Sequence, residues 1–152
     1  MPNPSFEIRD SCPDNLSLIE EATGWKQLNA SPDLFHKCAT NYVSIPNNAA
    51  GHQYPYNIND SAYAGVGTIL TNDTAHEIMG IKLTDTLIIG QKYYVSFLAS
   101  AGDSTGMAFN FECFCNKIGA KFFTHSFPTS FYNGVLIDNT AQVYSDSIVL
   151  DT

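Results

Sequence analysis

Asn3-Pro4-Ser5-Phe6-Glu7-Ile8 is the stretch that decides the predicted fold. Proline has no backbone N–H and restricts the residue before it to extended conformations, so Pro2 and Pro4 oppose a helix here. Phe6 and Ile8 alternate with polar residues, and in a strand such alternation places both apolar side chains on one face. The stretch therefore predicts the first β-strand of the domain.

Further short strands are expected along the chain. The strongest pattern is 93–99, where Tyr93, Val95 and Phe97 would share one face. A single helical turn is predicted near residues 32–38, because Ser31 can cap a helix and Pro32 suits its first position. Many short strands with almost no helix favour an all-β, antiparallel β-sandwich or jelly roll. The other predicted strands are 42–45, 62–70, 77–83, 87–90, 107–115, 118–123, 134–138 and 142–150.

The overall composition limits the class of partner. A chain of 152 residues predicts a single domain, 1–152, with a sizeable core. Its net charge is −8, and its seven lysines and arginines are scattered, so nucleic acid and anionic membrane surfaces are poor partners. No apolar run is long enough to insert into a bilayer. Only 14% of residues are charged, so the polar surface is expected to consist mostly of Asn, Ser and Thr.

Catalysis finds little support in the sequence. The chain has no Gly-x-Ser-x-Gly elbow, no His-Glu-x-x-His pair and no glycine loop for phosphates. Its four histidines are dispersed, and nothing places a nucleophile beside one of them. We therefore expect a protein that is not an enzyme.

The longest irregular stretch, residues 47–61, carries the candidate ligand-binding residues. Sugar binding needs aromatic faces that stack on C–H groups, together with amides and carboxylates that bind hydroxyls. Alternatively, the tyrosines of this stretch pack the loop onto the domain. Trp25, Tyr63 and Phe97 are expected in the core and not at a ligand-binding surface. The candidates are His52, Tyr54, Tyr56, Asn57, Asn59 and Asp60.

Several blocks taken together resemble a domain found in surface and secreted proteins of gliding bacteria. That domain is similar to carbohydrate-binding jelly-roll modules of the galactose-binding type. The resemblance implies an extracellular or cell-surface location and an adhesive, non-catalytic role, with a glycan or cell-surface polymer as partner. The matching blocks are PNPSFE (2–7), CP (12–13), GW (24–25), SPDLFHKCA (31–39), SIPNNAAGHQ (44–53), AYAG (62–65), LIIGQKYYVSFLAS (87–100) and NKIGAKF (116–122).

The same resemblance implies three features of individual residues. Cys12 and Cys38 occupy family-like positions and are expected to form a disulfide, although four cysteines permit three pairings. A structural Ca²⁺ is expected near Glu7 and Asp146, with backbone carbonyls completing the oxygen ligands. Asp-Ser/Thr tripeptides such as Asp60-Ser61-Ala62 resemble an O-glycosylation motif of exported proteins in that bacterial group.

The remaining cysteines, Cys113 and Cys115, lie two residues apart on a predicted strand. Strand geometry holds such neighbours at the limit of disulfide reach, so two buried free thiols are expected. The alternative is a zinc site that these two cysteines would form together with His36 and Cys38.

The end of the sequence departs from the resemblance. Members of the family continue for several strands past the equivalent of residues 142–152, so this sandwich would lack terminal strands and expose an edge. Alternatively, residues 144–150 are the final strand of a shorter module. An exposed edge invites pairing with copies of the chain or neighbouring subunits through the last strand. The alternative function is therefore a structural subunit of a surface filament, adhesin or virion.

Overall fold

The computed structural model describes residues 1–68, 76–103, 105–106, 118–124 and 141–147 of the chain. Within them the protein is all-β: short strands pair two by two, all antiparallel, as β1–β6, β2–β5, β3–β4 and β7–β8. Two 3-10 helices, Ile19–Glu21 and Asn41–Val43, accompany them. The strands are β1 (Trp25–Asn29), β2 (Asp33–His36), β3 (Asn47–Asn48), β4 (Gly51–His52), β5 (Ala62–Gly65), β6 (Ile78–Ile81), β7 (Gly119–Ala120) and β8 (Val143–Tyr144).

The core lies between the first 3-10 helix and the β1–β6 and β2–β5 pairs. Trp25 begins β1 opposite Ile81 of β6, and the turn before it passes through Gly24, whose φ of +87° suits glycine. The predicted core position of Trp25 is confirmed, since its side chain is 7% exposed. The buried cluster consists of Ile19, Ala22, Trp25, Leu34 and Ala62, with Phe6, Ala64, Met79 and Ile81 packed against it. No helix among the described residues is long and apolar enough to cross a membrane.

The helical turn predicted near residues 32–38 is wrong, because this segment contains strand β2. Asp33–His36 pairs with Ala62–Gly65, and Leu34 and Phe35 are almost completely buried. A proline suits the position before a strand as well as the start of a helix, so Pro32 does not discriminate between them. The pairing with β5, which lies far along the chain, supplies the backbone hydrogen bonds and decides the outcome.

The predicted first strand is also wrong. The backbone turns at Asn3 and Phe6, whose φ values are +45° and +64°, and the strand-like pairing nearby is an isolated bridge between Arg9 and Ala22. Phe6 packs on the Trp25 ring with centroids 4.7 Å apart, whereas Ile8 is 61% exposed. The two side chains therefore do not share a buried face.

The side chain of Asn3 explains the absence of a strand here. Its Nδ2 donates to the carbonyls of Ile8 (2.7 Å) and Thr23 (3.1 Å), and its Oδ1 accepts from the Ile8 N–H (3.0 Å). The backbone oxygen of Asn3 also accepts from Nε1 of Trp25 at 3.0 Å. One buried amide thus makes the backbone contacts that a neighbouring strand would otherwise provide.

The Asn3→Ala variant is expected to lose about 2–3 kcal/mol of unfolding free energy, because it leaves partly buried backbone groups of Ile8 and Thr23 without partners and alanine is disfavoured at positive φ. Urea denaturation measures the change. Asn59→Ala, at an exposed position, is the matched control and should change stability by less than about 0.5 kcal/mol. Equal stability of the two variants would contradict this role of Asn3.

Some of the other predicted strands are confirmed and others are wrong. β5 and β6 confirm strands within 62–70 and 77–83, and β7 and β8 lie within 118–123 and within 142–147, the described part of 142–150. Residues 42–45 form part of a 3-10 helix and its exit instead of a strand, and neither 87–90 nor 93–99 contains one. Phe97, expected in the core, is 43% exposed. Alternation of apolar residues alone therefore did not specify pairing, and the strands predicted at 107–115 and 134–138 lie outside the described residues.

Candidate functional site

A short hairpin in the Asn-rich stretch carries the candidate site. β3 and β4 pair Asn47 with His52 and Asn48 with Gly51, and the peptide before Pro46 is cis. Asn48 closes the turn, since its Oδ1 accepts from the Ala50 N–H at 2.9 Å. The stretch predicted as irregular therefore contains an ordered turn with two short strands.

The hairpin is attached to the core through Asn48, whose side chain is completely buried. Its Nδ2 donates to the Tyr63 hydroxyl at 2.5 Å, and the Tyr63 ring packs on Phe35 with centroids 5.1 Å apart. Burial raises the pKa of Tyr63 to about 12, so its phenol stays protonated at neutral pH. Tyr63 thus joins the hairpin to the β2–β5 pair.

His52 and Tyr54, both predicted ligand-binding residues, lie side by side. Their rings meet edge to face, with centroids 5.3 Å apart and planes at 81°. Nδ1 of His52 lies 2.6 Å from Oδ1 of Asn47, and the Tyr54 side chain is 53% exposed. The structure therefore places an accessible aromatic ring beside a polar one whose orientation is fixed.

Asp103 completes the site from a distant part of the sequence. A Cβ atom added to Gly51, where φ is +122°, would collide with the Asp103 carboxylate, and this carboxylate accepts from the His52 N–H at 3.2 Å. The backbone N–H of Asp103 donates to the Ala50 carbonyl at 2.9 Å. We call Asn47, His52, Tyr54 and Asp103 the hairpin site.

The carboxylate of Asp103 is stabilised in its ionised form. Hydrogen bonds from the hydroxyl and N–H of Thr105 and from the His52 N–H lower the pKa of Asp103. Sequence reasoning missed Asp103, because nothing local to residue 103 indicates that it reaches the hairpin. Asp103-Ser104-Thr105 is a further Asp-Ser/Thr tripeptide of the kind that resembles the O-glycosylation motif, and that resemblance does not indicate a contact with the hairpin.

The other predicted ligand-binding residues lie on the turn that follows. Tyr56 is 87% exposed. Asn57 forms the turn itself: its Oδ1 accepts from the Asn59 N–H at 3.1 Å and its carbonyl from the Asp60 N–H at 2.9 Å. Lys37 donates to the Ile58 carbonyl at 3.1 Å. Asn57 is thus engaged in local structure, while Tyr56 presents an accessible ring.

The expected disulfide between Cys12 and Cys38 is confirmed, with a Cα–Cα distance of 6.0 Å. Because Cys38 is in this bond, it has no thiolate for a metal, and the alternative zinc site with Cys38 as a ligand is wrong. His36 is buried, its Nδ1 accepts from the Cys38 N–H, and burial followed by the nearby Arg9 lowers the pKa of His36. Cys113 and Cys115 lie outside the described residues.

The carboxylate of Glu7, a predicted calcium ligand, binds backbone groups. Its Oε1 accepts from the N–H groups of Ser61 (2.7 Å) and Ala62 (3.0 Å) at the start of β5. Asp146 is exposed, and the part of the chain that the structure describes has no group of three His, Cys, Asp or Glu residues arranged to hold a metal ion. Calcium ligation by Glu7 and Asp146 stays a prediction of the resemblance.

Comparisons with known proteins give no indication of function beyond the geometry of the hairpin site. No protein-family model matches the chain, and neither a curated protein nor a solved structure matches it.

Proposed function

We propose that the chain is a non-catalytic extracellular module for adhesion that binds carbohydrate at the hairpin site. The observation that carries the proposal is the exposure of Tyr54 beside His52, with the exposed ring of Tyr56 on the next turn. Tyrosine rings stack on the C–H faces of sugars while amides and carboxylates bind the hydroxyls. The partner would be a glycan or a cell-surface polymer.

The disulfide and the antiparallel strand pairs support the proposed role as an extracellular binding module. A disulfide is typical of proteins that fold outside the reducing cytosol, which supports an extracellular or cell-surface location. The antiparallel strand pairs are compatible with a β-sandwich of the jelly-roll, galactose-binding type, and we propose that architecture for the whole domain. The resemblance to surface proteins of gliding bacteria points in the same direction.

Replacement of either exposed tyrosine is expected to weaken binding to glycans. Tyr54→Ala and Tyr56→Ala should each reduce affinity by about tenfold, because each stacking ring contributes on the order of 1 kcal/mol or more. A glycan array identifies the ligand, and a titration with that ligand measures the loss. The Tyr94→Ala variant is the matched control, because this ring is 91% exposed but lies outside the site.

The array must be run both with and without added calcium, since the resemblance implies a calcium ion. A folded wild-type protein that binds no glycan in either condition would contradict the proposed function. Equal losses in the Tyr54 variant and the Tyr94 control would contradict the location of the site.

A second candidate function is that of a structural subunit of a filament, adhesin or virion. The observation that favours it is the segment 87–98, which exposes Ile89 (102%), Tyr94 (91%) and Leu98 (71%). Apolar side chains concentrated in one exposed segment are typical of surfaces that pair with other molecules. Light scattering at increasing protein concentration tests this candidate, and a monomer at all concentrations would argue against it. The last strand, predicted to mediate such pairing, is described only in part, by β8.

A further inference from the structure

We infer that the ligand of the hairpin site is an uncharged sugar, one hydroxyl of which donates a hydrogen bond to Nε2 of His52 while its C–H face lies on the Tyr54 ring. This inference rests on the proposed function and adds the class of sugar and the role of each residue.

The first step concerns the proton on His52. The Oδ1 atom of Asn47 lies 2.6 Å from Nδ1 of the ring, and an amide oxygen only accepts hydrogen bonds. Nδ1 must therefore carry the proton, and Nε2 of the neutral ring is left with a lone pair. His52 is exposed, so this acceptor is available to a hydroxyl group of a ligand.

The second step concerns the relative orientation of the two rings. The planes of His52 and Tyr54 stand at 81°, with centroids 5.3 Å apart. A pyranose has a face of C–H groups and hydroxyls that project from its rim, so it presents these groups in different directions. A flat tyrosine face beside an imidazole set at nearly a right angle matches that arrangement.

The third step concerns charge. Asp103 accepts from the His52 backbone N–H, and its hydrogen bonds favour the ionised carboxylate. Lys37, which directly follows β2, donates to the carbonyl of Ile58 on the turn after the hairpin, and the whole chain carries a net charge of −8. A uronic acid or sulfated sugar would therefore approach a negative group in a negative field, whereas a neutral sugar would not.

The tautomer is measurable in the free protein by ¹⁵N NMR of the histidine side chains. In the neutral ring of the wild type we expect a protonated Nδ1 and an unprotonated Nε2 at His52. The Asn47→Leu variant removes the acceptor and is expected to shift the population towards the tautomer protonated at Nε2. A neutral wild-type ring that carries its proton at Nε2 would overturn the assigned acceptor, whether or not a glycan is bound.

The sugar class is tested by titration with a neutral polysaccharide and with a sulfated derivative of the same polymer. We expect the neutral polymer to bind at least about tenfold more tightly, and His52→Phe, which keeps an aromatic ring but removes the acceptor, to lose about tenfold of that affinity. The Tyr94→Phe variant should bind as the wild type does.

The outcomes separate this inference from the proposed function. Equal or tighter binding of the sulfated polymer would overturn the inferred sugar class and leave carbohydrate binding intact. Unchanged affinity in His52→Phe would overturn the role of Nε2 alone. Absence of binding to every glycan would overturn the proposed function, and the inference with it.

Discussion

Replacing Asp33 with asparagine is expected to stabilise the protein at pH 8 and to change its stability little at pH 4. Desolvation by burial raises the pKa of Asp33 from 3.8 to about 7, with a further contribution from Glu77. The Ser17 N–H donates to Oδ1 of Asp33 at 2.5 Å, which favours the ionised form but does not offset the burial. Asparagine keeps an oxygen for that N–H and cannot ionise.

The direction of this change in unfolding free energy follows from proton linkage. Because the pKa of Asp33 is higher in the folded protein than in the unfolded chain, the folded state binds more protons between about pH 4 and pH 7. The contribution of Asp33 is therefore fully favourable below its unfolded pKa and is lost as the pH rises through about 7. A shift of this size corresponds to about 4 kcal/mol, as an order of magnitude.

The measurement is the difference in unfolding free energy between Asp33→Asn and the wild type, determined by urea denaturation at several pH values. The difference should grow from pH 4 and level off above pH 7. His36 has a lowered pKa and acts in the opposite direction, but it is present in both proteins and cancels. Asp14→Asn, at an exposed residue, is the control, and the same pH dependence there would contradict the interpretation.

Removal of the disulfide is expected to cost about 3.5 kcal/mol of unfolding free energy. The bond joins Cys12 and Cys38 across 26 residues, and closing a loop of that length restricts the unfolded chain by about this amount. The double variant Cys12→Ser/Cys38→Ser tests this in urea denaturation, and reduced wild-type protein should unfold at the same urea concentration as the variant.

The folded structure should survive the loss of this bond. The Asp10 N–H donates to the Glu21 carbonyl and the Thr23 N–H to the Ile8 carbonyl, both at 2.8 Å, so other bonds still hold the first segment. Circular dichroism in the absence of denaturant should therefore be unchanged. Unfolding at the same urea concentration in oxidised and reduced protein would contradict the prediction.

Sequence reasoning succeeded where the decisive interactions were local or followed a recognisable pattern. The strands at Ala62–Gly65 and Ile78–Ile81 were predicted from the pattern of their own side chains, and both form antiparallel pairs with distant segments. The pairing of Cys12 with Cys38 came from the resemblance, because spacing alone left three pairings open. The proximity of His52 and Tyr54 follows from their separation by one residue at the end of a strand.

The wrong and missed predictions share a physical cause. The partner that determines the local structure either lies far away in the sequence or is a side chain instead of a neighbouring strand. Asn3 satisfies the backbone of Ile8 and Thr23, so alternation at Phe6 and Ile8 did not produce a strand. Asp33–His36 became a strand because β5 pairs with it. Asp103 could not be found, because its contact with the hairpin crosses about fifty residues.

That contact between Asp103 and the β3–β4 hairpin has a consequence for attempts to isolate the hairpin as a peptide. The Asp103 N–H, its carboxylate and the carbonyl of Ala101 each bond to residues 50–53. A synthetic peptide covering only residues 41–60 would contain His52 and Tyr54 but would lack this bracing segment. Such a peptide is expected to sample many conformations, so the proposed carbohydrate binding would require the assembled domain, and a bound ligand would in turn oppose separation of the two segments.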